Sequence, residues 1–232
     1  MQIIESTPFG VRSSIMIFGR ADSNVRFLMF PMLHLGAPAF YAEVAQRLSH
    51  CDLILAEGVA GRRTSVITLS YRLAGKIRRF GLIEQGRGLQ LRTLSVPVEN
   101  VDATASQFSR SWRRAPRYAR LLLLALAPLF GLWLIVSGSR SMIAQQTEVN
   151  DVPDRDEAFM PDSLSRVNDA IVHDRDRLLC DAIAREARTP AASTKTVAIL
   201  WGAGHMPAVV HFLMGSLRYR VLSTEWLTVF VP

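Results

Sequence analysis

An apolar, β-branched run at residues 196–200 leads into Trp201-Gly202-Ala203-Gly204-His205-Met206-Pro207, and a second apolar run with helical character covers 208–217. A strand, a glycine turn, a histidine and a proline-led helix make a compact site-building unit, and nothing else in the chain constrains the fold as much. The glycines let the backbone turn sharply off the strand end. Pro207 suits the first helical position, where its missing N–H costs nothing. His205 is thereby set at the start of a helix, where it reads equally well as a local cap or as a ligand-ready ring.

The pattern occurs earlier too. Residues 14–19 and 25–30 flank Ala21-Asp22-Ser23-Asn24 and predict a hairpin with a polar turn. The second strand runs into Pro31-Met32-Leu33-His34. Gly36-Ala37-Pro38 then opens a helix to about residue 49, with Phe40, Val44, Ala45 and Leu48 on one face. The apolar run from residue 52 is what a strand buried on both faces of a parallel sheet requires, and it terminates in Glu57-Gly58. An arginine-studded helix is expected over 65–80. Residues 93–98 read as a strand or edge segment, with Pro97 arguing against a central position. Asp102 or Thr104 could cap the next helix. Residues 161–188 read as a long amphipathic helix carrying His173-Asp174-Arg175-Asp176-Arg177, and 219–223 and 226–230 as terminal strands. Together these predict a single α/β domain over 1–232: a mixed, largely parallel sheet flanked by helices, with an apolar helical insertion at about 110–145.

Composition enters where partners are concerned. The 232 residues suffice for one sizeable core. The formal charge is +7, and arginine carries nearly all the positive charge, Lys76 and Lys195 being the only lysines. That suits phosphate or anionic-lipid contact, and equally a general compositional bias. The chain is 49% hydrophobic with a mean hydropathy of +0.18, more apolar than a typical soluble enzyme. Much of this lies in 121–136, a stretch led by Arg110, Arg113, Arg114, Arg117 and Arg120 and free of charge until Arg140. The tract is at the lower limit for a membrane span, and Pro128 and Gly131 break its middle. A true span would also separate His34 and Glu57 from His205. The expectation is therefore a helix or helical hairpin that dips into a membrane, or packs on a partner chain, and returns, with a helix buried inside the domain as the alternative. Its arginines would hold it at an anionic cytoplasmic face, with Leu122, Leu126, Phe130 and Trp133 exposed. Residues 1–12 carry Glu5 and no apolar core, so no secretory signal is expected. Cys51 and Cys180 stand in no paired spacing, which argues against a disulfide scaffold and a thiolate zinc site. Nucleic acid ranks third as a partner, behind a membrane surface and a peptide or small molecule. The oligomeric state, a homo-oligomer included, stays open.

If the strands ending at His34, Glu57 and His205 are parallel, the three side chains share one edge of the sheet, where open α/β folds place their sites. Two imidazoles and a carboxylate suit zinc, manganese, cobalt or iron with positions left open. Such a metal would lower the pKa of bound water and polarise a carbonyl. His50, His173 and His211 read as surface or packing residues.

These segments, in this order, resemble the TraB/PrgY/GumN-type family, related to the Tiki proteases and more distantly to the ChaN and erythromycin-esterase folds. Gly202 to His205 matches a Gly-x-x-His motif in full. Asp174-Arg175-Asp176 resembles the family's Glu-Arg-Asp-like helix motif with Asp in the first place, and Asn100-Val101-Asp102 resembles its Asn-x-Asp segment. Pro31 departs from the pattern, standing where the first Gly-x-x-His motif has glycine. The resemblance covers roughly residues 14–230 and leaves the tract at 110–136 aside. It implies motifs converging on one face of the sheet, a divalent metal ion (Zn, Mn or Co) held by His34, Glu57 and His205, and hydrolysis of a peptide or related amide or ester bond. Glu57 would be ligand or general base. Arg175 would bind a substrate carboxylate or stabilise an oxyanion, or else form a structural ion pair. The alternative is a non-catalytic, membrane-associated protein that binds or sequesters a peptide or small ligand on the same fold.

Overall fold

The structure, a computed structural model, describes residues 1–58, 81–114, 116–122, 124–126, 140, 144, 148–150 and 172–231. The chain opens with strands β1 (Gln2–Thr7), β2 (Gly10–Arg20) and β3 (Ser23–Met32), followed by β4 (Leu35–Gly36), helix α1 (Pro38–Leu48) and β5 (Leu53–Ala56). Then come β6 (Ile83–Glu84), α2 (Gln85–Gly88), β7 (Val98–Asn100), α3 (Ala105–Arg114) and β8 (Val149–Asn150). The last part holds α4 (Asp174–Arg188), β9 (Lys195–Gly202), α5 (Met206–His211) and β10 (Arg220–Phe230).

Among the described residues eight strands form one mixed sheet, the α/β architecture expected from the sequence. The path runs β7-β5-β9-β3-β2-β1-β8, with β10 also on β2. From β7 through β3 every neighbour is parallel; the pairs of β2 with β3, β1 and β10, and of β1 with β8, are antiparallel. The parallel strands have the residues for burial on both faces: Val197, Ala198, Ile199, Leu200 and Trp201 of β9 and Ile54 and Leu55 of β5 are buried. Pro31 is tolerated in β3 because it lies beyond Met29, the last residue of β3 paired with β2 at that end, and its carbonyl accepts a hydrogen bond from Ser13 Oγ at 2.8 Å.

Helix α1 starts at Pro38 and buries Phe40, Tyr41, Val44 and Leu48, three of the four residues expected on that face. Thr104, rather than Asp102, caps α3. Its Oγ1 accepts from Gln107 N at 3.2 Å while Gln107 Oε1 accepts from Thr104 N at 2.8 Å, a reciprocal capping box. The two expected terminal strands are one, β10, with a register shift between Val221 and Ser223. Beyond α5 the chain widens into a π-helix, Phe212–Ser216.

The helix expected over 65–80, residues 161–171 of the long amphipathic helix, and Phe130 and Trp133 of the apolar tract lie outside the described residues. Residues 117–122 and 124–126 are helical, and Leu121, Leu122 and Leu126 are exposed, as is Tyr118. No helix among the described residues is long and apolar enough to cross a membrane.

Candidate functional site

The parallel strands deliver their carboxyl ends to one edge, and the polar residues that follow them meet there. Glu57 follows β5, Asp102 follows β7, and Gly202 ends β9 ahead of a short 3-10 turn, Ala203–His205. The first residues of α4, Arg175 and Asp176, close over this edge, and Arg175, Asp176 and His205 are all buried.

Arg175 is the centre. Its Nε donates to Asp102 Oδ1 at 2.8 Å and its Nη2 to Asp102 Oδ2 at 2.6 Å, a bidentate pair. Nη2 also bonds Glu57 Oε1, and Nη1 stands 3.3 Å from His205 Nε2. The guanidinium lies over the ring of Trp201, 5.3 Å from its centroid. Burial works against the charge of Arg175, but its hydrogen bonds to Asp102 and the charges of Glu57 and Asp102 more than restore it. Glu57 Oε2 accepts from Gly202 N at 2.6 Å. A Cβ on residue 202 would come within 3.1 Å of that oxygen, so glycine suits the close approach. Burial pushes the Glu57 carboxyl up. The charges of Arg175 and His205, with hydrogen bonds from Arg175 and Gly202, reverse this and hold it below the usual carboxylate range.

His205 is held from both sides. Asp176 Oδ1 lies 2.7 Å from Nδ1, and the ring packs edge-on against Trp201. The network is satisfied by the tautomer that carries its proton on Nδ1, donates it to Asp176 and turns the Nε2 lone pair toward Arg175. Glu57 Oε1 is 3.9 Å from Nε2. Asp102 is locked in turn: its Oδ2 accepts from Gly58 N at 2.9 Å and its Oδ1 from Ala103 N at 2.6 Å.

Glu57, Arg175 and His205 thus come together as the sequence suggested. His34 takes a different course. β3 stops at Met32, opposite Gly202, and the chain turns into β4, which pairs with β6; the carbonyl of His34 accepts from Gln85 N at 3.0 Å, and the residue is exposed. No group of three or more His, Cys, Asp or Glu side chains among the described residues is placed to hold a metal ion, so His34, Glu57 and His205 do not form one here. As the side chains stand, a divalent ion does not fit. It would sit about 2 Å from Nε2 of His205, the nitrogen that already faces a guanidinium, and both oxygens of Glu57 already have partners.

Two acids that hold the site together, Asp102 and Asp176, were not assigned a role in it from the sequence. Both sit in segments singled out there, and the signal for Asp102 was its place just past a strand end. Neither thiol competes as a nucleophile: burial, then Asp176 and Asp181, push Cys180 up to about 12, and burial, then Asp52, push Cys51 up to about 11. Beside Arg175 opens a cavity of about 300 Å³ lined by Phe108, Leu178, Ser111 and Arg110, with Arg114 and Arg177 flanking Asp174. No family model matches this chain, and neither a curated protein nor a solved structure matches it.

Proposed function

We propose that this protein is a hydrolase that cleaves an amide or ester bond of a peptide or small molecule at the Glu57–Arg175–His205 cluster. The observation that carries this reading is the Asp176–His205 hydrogen bond at the carboxyl edge of the parallel strands, with Arg175 across the ring. His205 Nε2 takes a proton from the attacking water and returns it to the leaving amine or alkoxide. Asp176 keeps the ring oriented and stabilises the imidazolium. Arg175, held through Nε and Nη2 by Asp102 and Glu57, presents Nη1 to the developing oxyanion. The Nη1–Nε2 contact, at 3.3 Å, is long and yields to a substrate carbonyl entering with its water. Substrate enters from the adjoining cavity, whose arginines suit an anionic group on it.

The helical residues that follow α3 support a place at the cytoplasmic face of a membrane. Tyr118, Leu121, Leu122 and Leu126 are exposed close in sequence to the exposed Arg113, Arg114 and Arg117, a combination suited to an anionic bilayer surface.

The test is turnover of a panel of peptides and esters by the full chain, with metal content measured on the same preparation. His205→Ala and Asp176→Asn should each lower kcat by about 100-fold or more while circular dichroism stays unchanged. Full turnover in either variant removes the assignment. Stoichiometric metal that is lost in Glu57→Gln would restore an ion to the centre, with Arg175 displaced. Saturable ligand binding without turnover would support the second reading, a binding protein. What favours that reading is that both nitrogens of His205 and both oxygens of Glu57 already have partners within the protein.

A further inference from the structure

At the opposite end of the sheet, where β3 and β9 begin, a second cavity of about 710 Å³ is lined by Arg20, Arg26, Arg218 and Arg220, with Thr194 and Leu222 at its wall. We propose that it binds a soluble phosphoryl-bearing anion, a phosphate ester or short polyphosphate, independently of the chemistry at Arg175. Among the described residues, Asp22 is the one acid lining it, and Arg26, Arg218 and Arg220 pair with no carboxylate.

The floor is rigid. Tyr219 is buried, packs edge-on against Phe27, and shares a hydrogen bond with Ser23 at 3.1 Å. Arg20 lies over the Tyr219 ring and donates from Nη1 to Leu217 O at 2.9 Å. Its Nε pairs with Asp22 Oδ1 at 2.5 Å. The Asp22 side chain is 76% exposed, and an incoming anion displaces it at little cost. Arg218 holds a left-handed backbone, φ 59, where it ends the π-helix, a place glycine usually takes.

The forked guanidinium groups match phosphate oxygens two at a time, and several of them around one concavity favour a multiply charged ligand over a single carboxylate. The volume is that of a small-molecule site. The ten residues of β3, about 30 Å of strand, separate this cavity from the edge that carries the arginine- and leucine-rich helix. A bilayer touched by that helix would not reach it, which favours a soluble phosphate over a lipid headgroup.

Calorimetric titration of the full chain with sodium pyrophosphate and tripolyphosphate should give saturable binding at one site. The triple variant Arg26→Gln, Arg218→Gln, Arg220→Gln should weaken it by about tenfold or more, since charge-assisted hydrogen bonds are lost, whereas Arg110→Gln with Arg113→Gln should leave it unchanged. Arg218→Gly separates binding from folding: glycine relieves the left-handed backbone, so Tm should hold or rise while affinity falls. Sedimentation with phosphatidylcholine vesicles, with and without phosphatidylserine, distinguishes the source. Equal binding by the wild type and the triple variant, no saturable binding, or binding to anionic vesicles alone overturns the proposal.

Discussion

The two halves of the sheet use polar residues in opposite ways. In β7, β5, β9 and β3 all strands run the same direction, so Asp102, Glu57 and the Gly202–His205 turn emerge together, and five charged or ionisable side chains with Arg175 and Asp176 crowd into one buried network. In the antiparallel half, strand ends alternate between edges, and the arginines that gather at its hairpin end, Arg26, Arg218 and Arg220, stay exposed and form no buried network. Among the described residues, the buried polar residues there are two serines, each hydroxyl satisfied by one carbonyl: Ser13 by Pro31 and Ser14 by Ile3. Its ion pairs, such as Arg12 with Glu5 and Arg47 of α1 with Glu225 of β10, stay at the surface. Strand direction, more than composition, is what concentrates buried charge in this molecule.

The sharpest way to break this comparison is to remove one partner from each half. Arg175→Met strands two carboxylates, Glu57 and Asp102, in the interior, and should cost about 3–5 kcal/mol in urea denaturation, enough to threaten folding. An effect near zero would mean the network is not formed in solution. Acidification should strike the same half next. Glu57 titrates lower in the folded protein than in the unfolded chain, so its contribution is fully present above the ordinary carboxylate range and is lost as pH falls through the folded value. Melting temperatures across an acid series should drop less steeply in Glu57→Gln than in the wild type. An equally steep fall in both would assign the acid sensitivity elsewhere.

In the antiparallel half the expected effects shrink. Ser13→Ala leaves the Pro31 carbonyl without its partner and should cost about 1 kcal/mol, with turnover unaltered; a change in kcat would show that the halves communicate. Arg47→Ala, whose partners Glu43 and Glu225 are largely in solvent, should cost under about 1 kcal/mol, fading further as salt is added.

Much of the fold was legible because its signals are local. The hairpin of β2 and β3 announced itself through two apolar runs on either side of a polar turn. The strand ending at Glu57 showed in its unbroken apolar run, and α1 in the spacing of Phe40, Val44 and Leu48. The single long β10 was not legible as one strand, because Ser223, Thr224 and Glu225 break the apolar pattern on a strand that pairs, among the described residues, with β2 alone. At the site, Glu57 and His205 could be matched from sequence because Glu57 follows β5 directly and His205 follows β9 through one tight 3-10 turn that keeps it at the strand end. His34 could not be placed that way: two more residues beyond β3 were enough for the ribbon of β4 and β6 to carry it elsewhere.

What the sequence determined by itself is therefore the strand that leads to Glu57, the strand and glycine turn at Gly202 and the helix-borne Asp-Arg-Asp run, since periodicity, turn chemistry and caps act over a few residues. Which of those groups meet was decided by tertiary structure. Only the parallel order β7-β5-β9 puts Asp102 beside Glu57, and only the packing of α4 over that edge turns Arg175 inward between the two carboxylates and sets Asp176 on His205. The reason is range. The buried charge of Arg175 is matched by partners that lie 30 to 118 residues away along this chain, and no local preference encodes that distance.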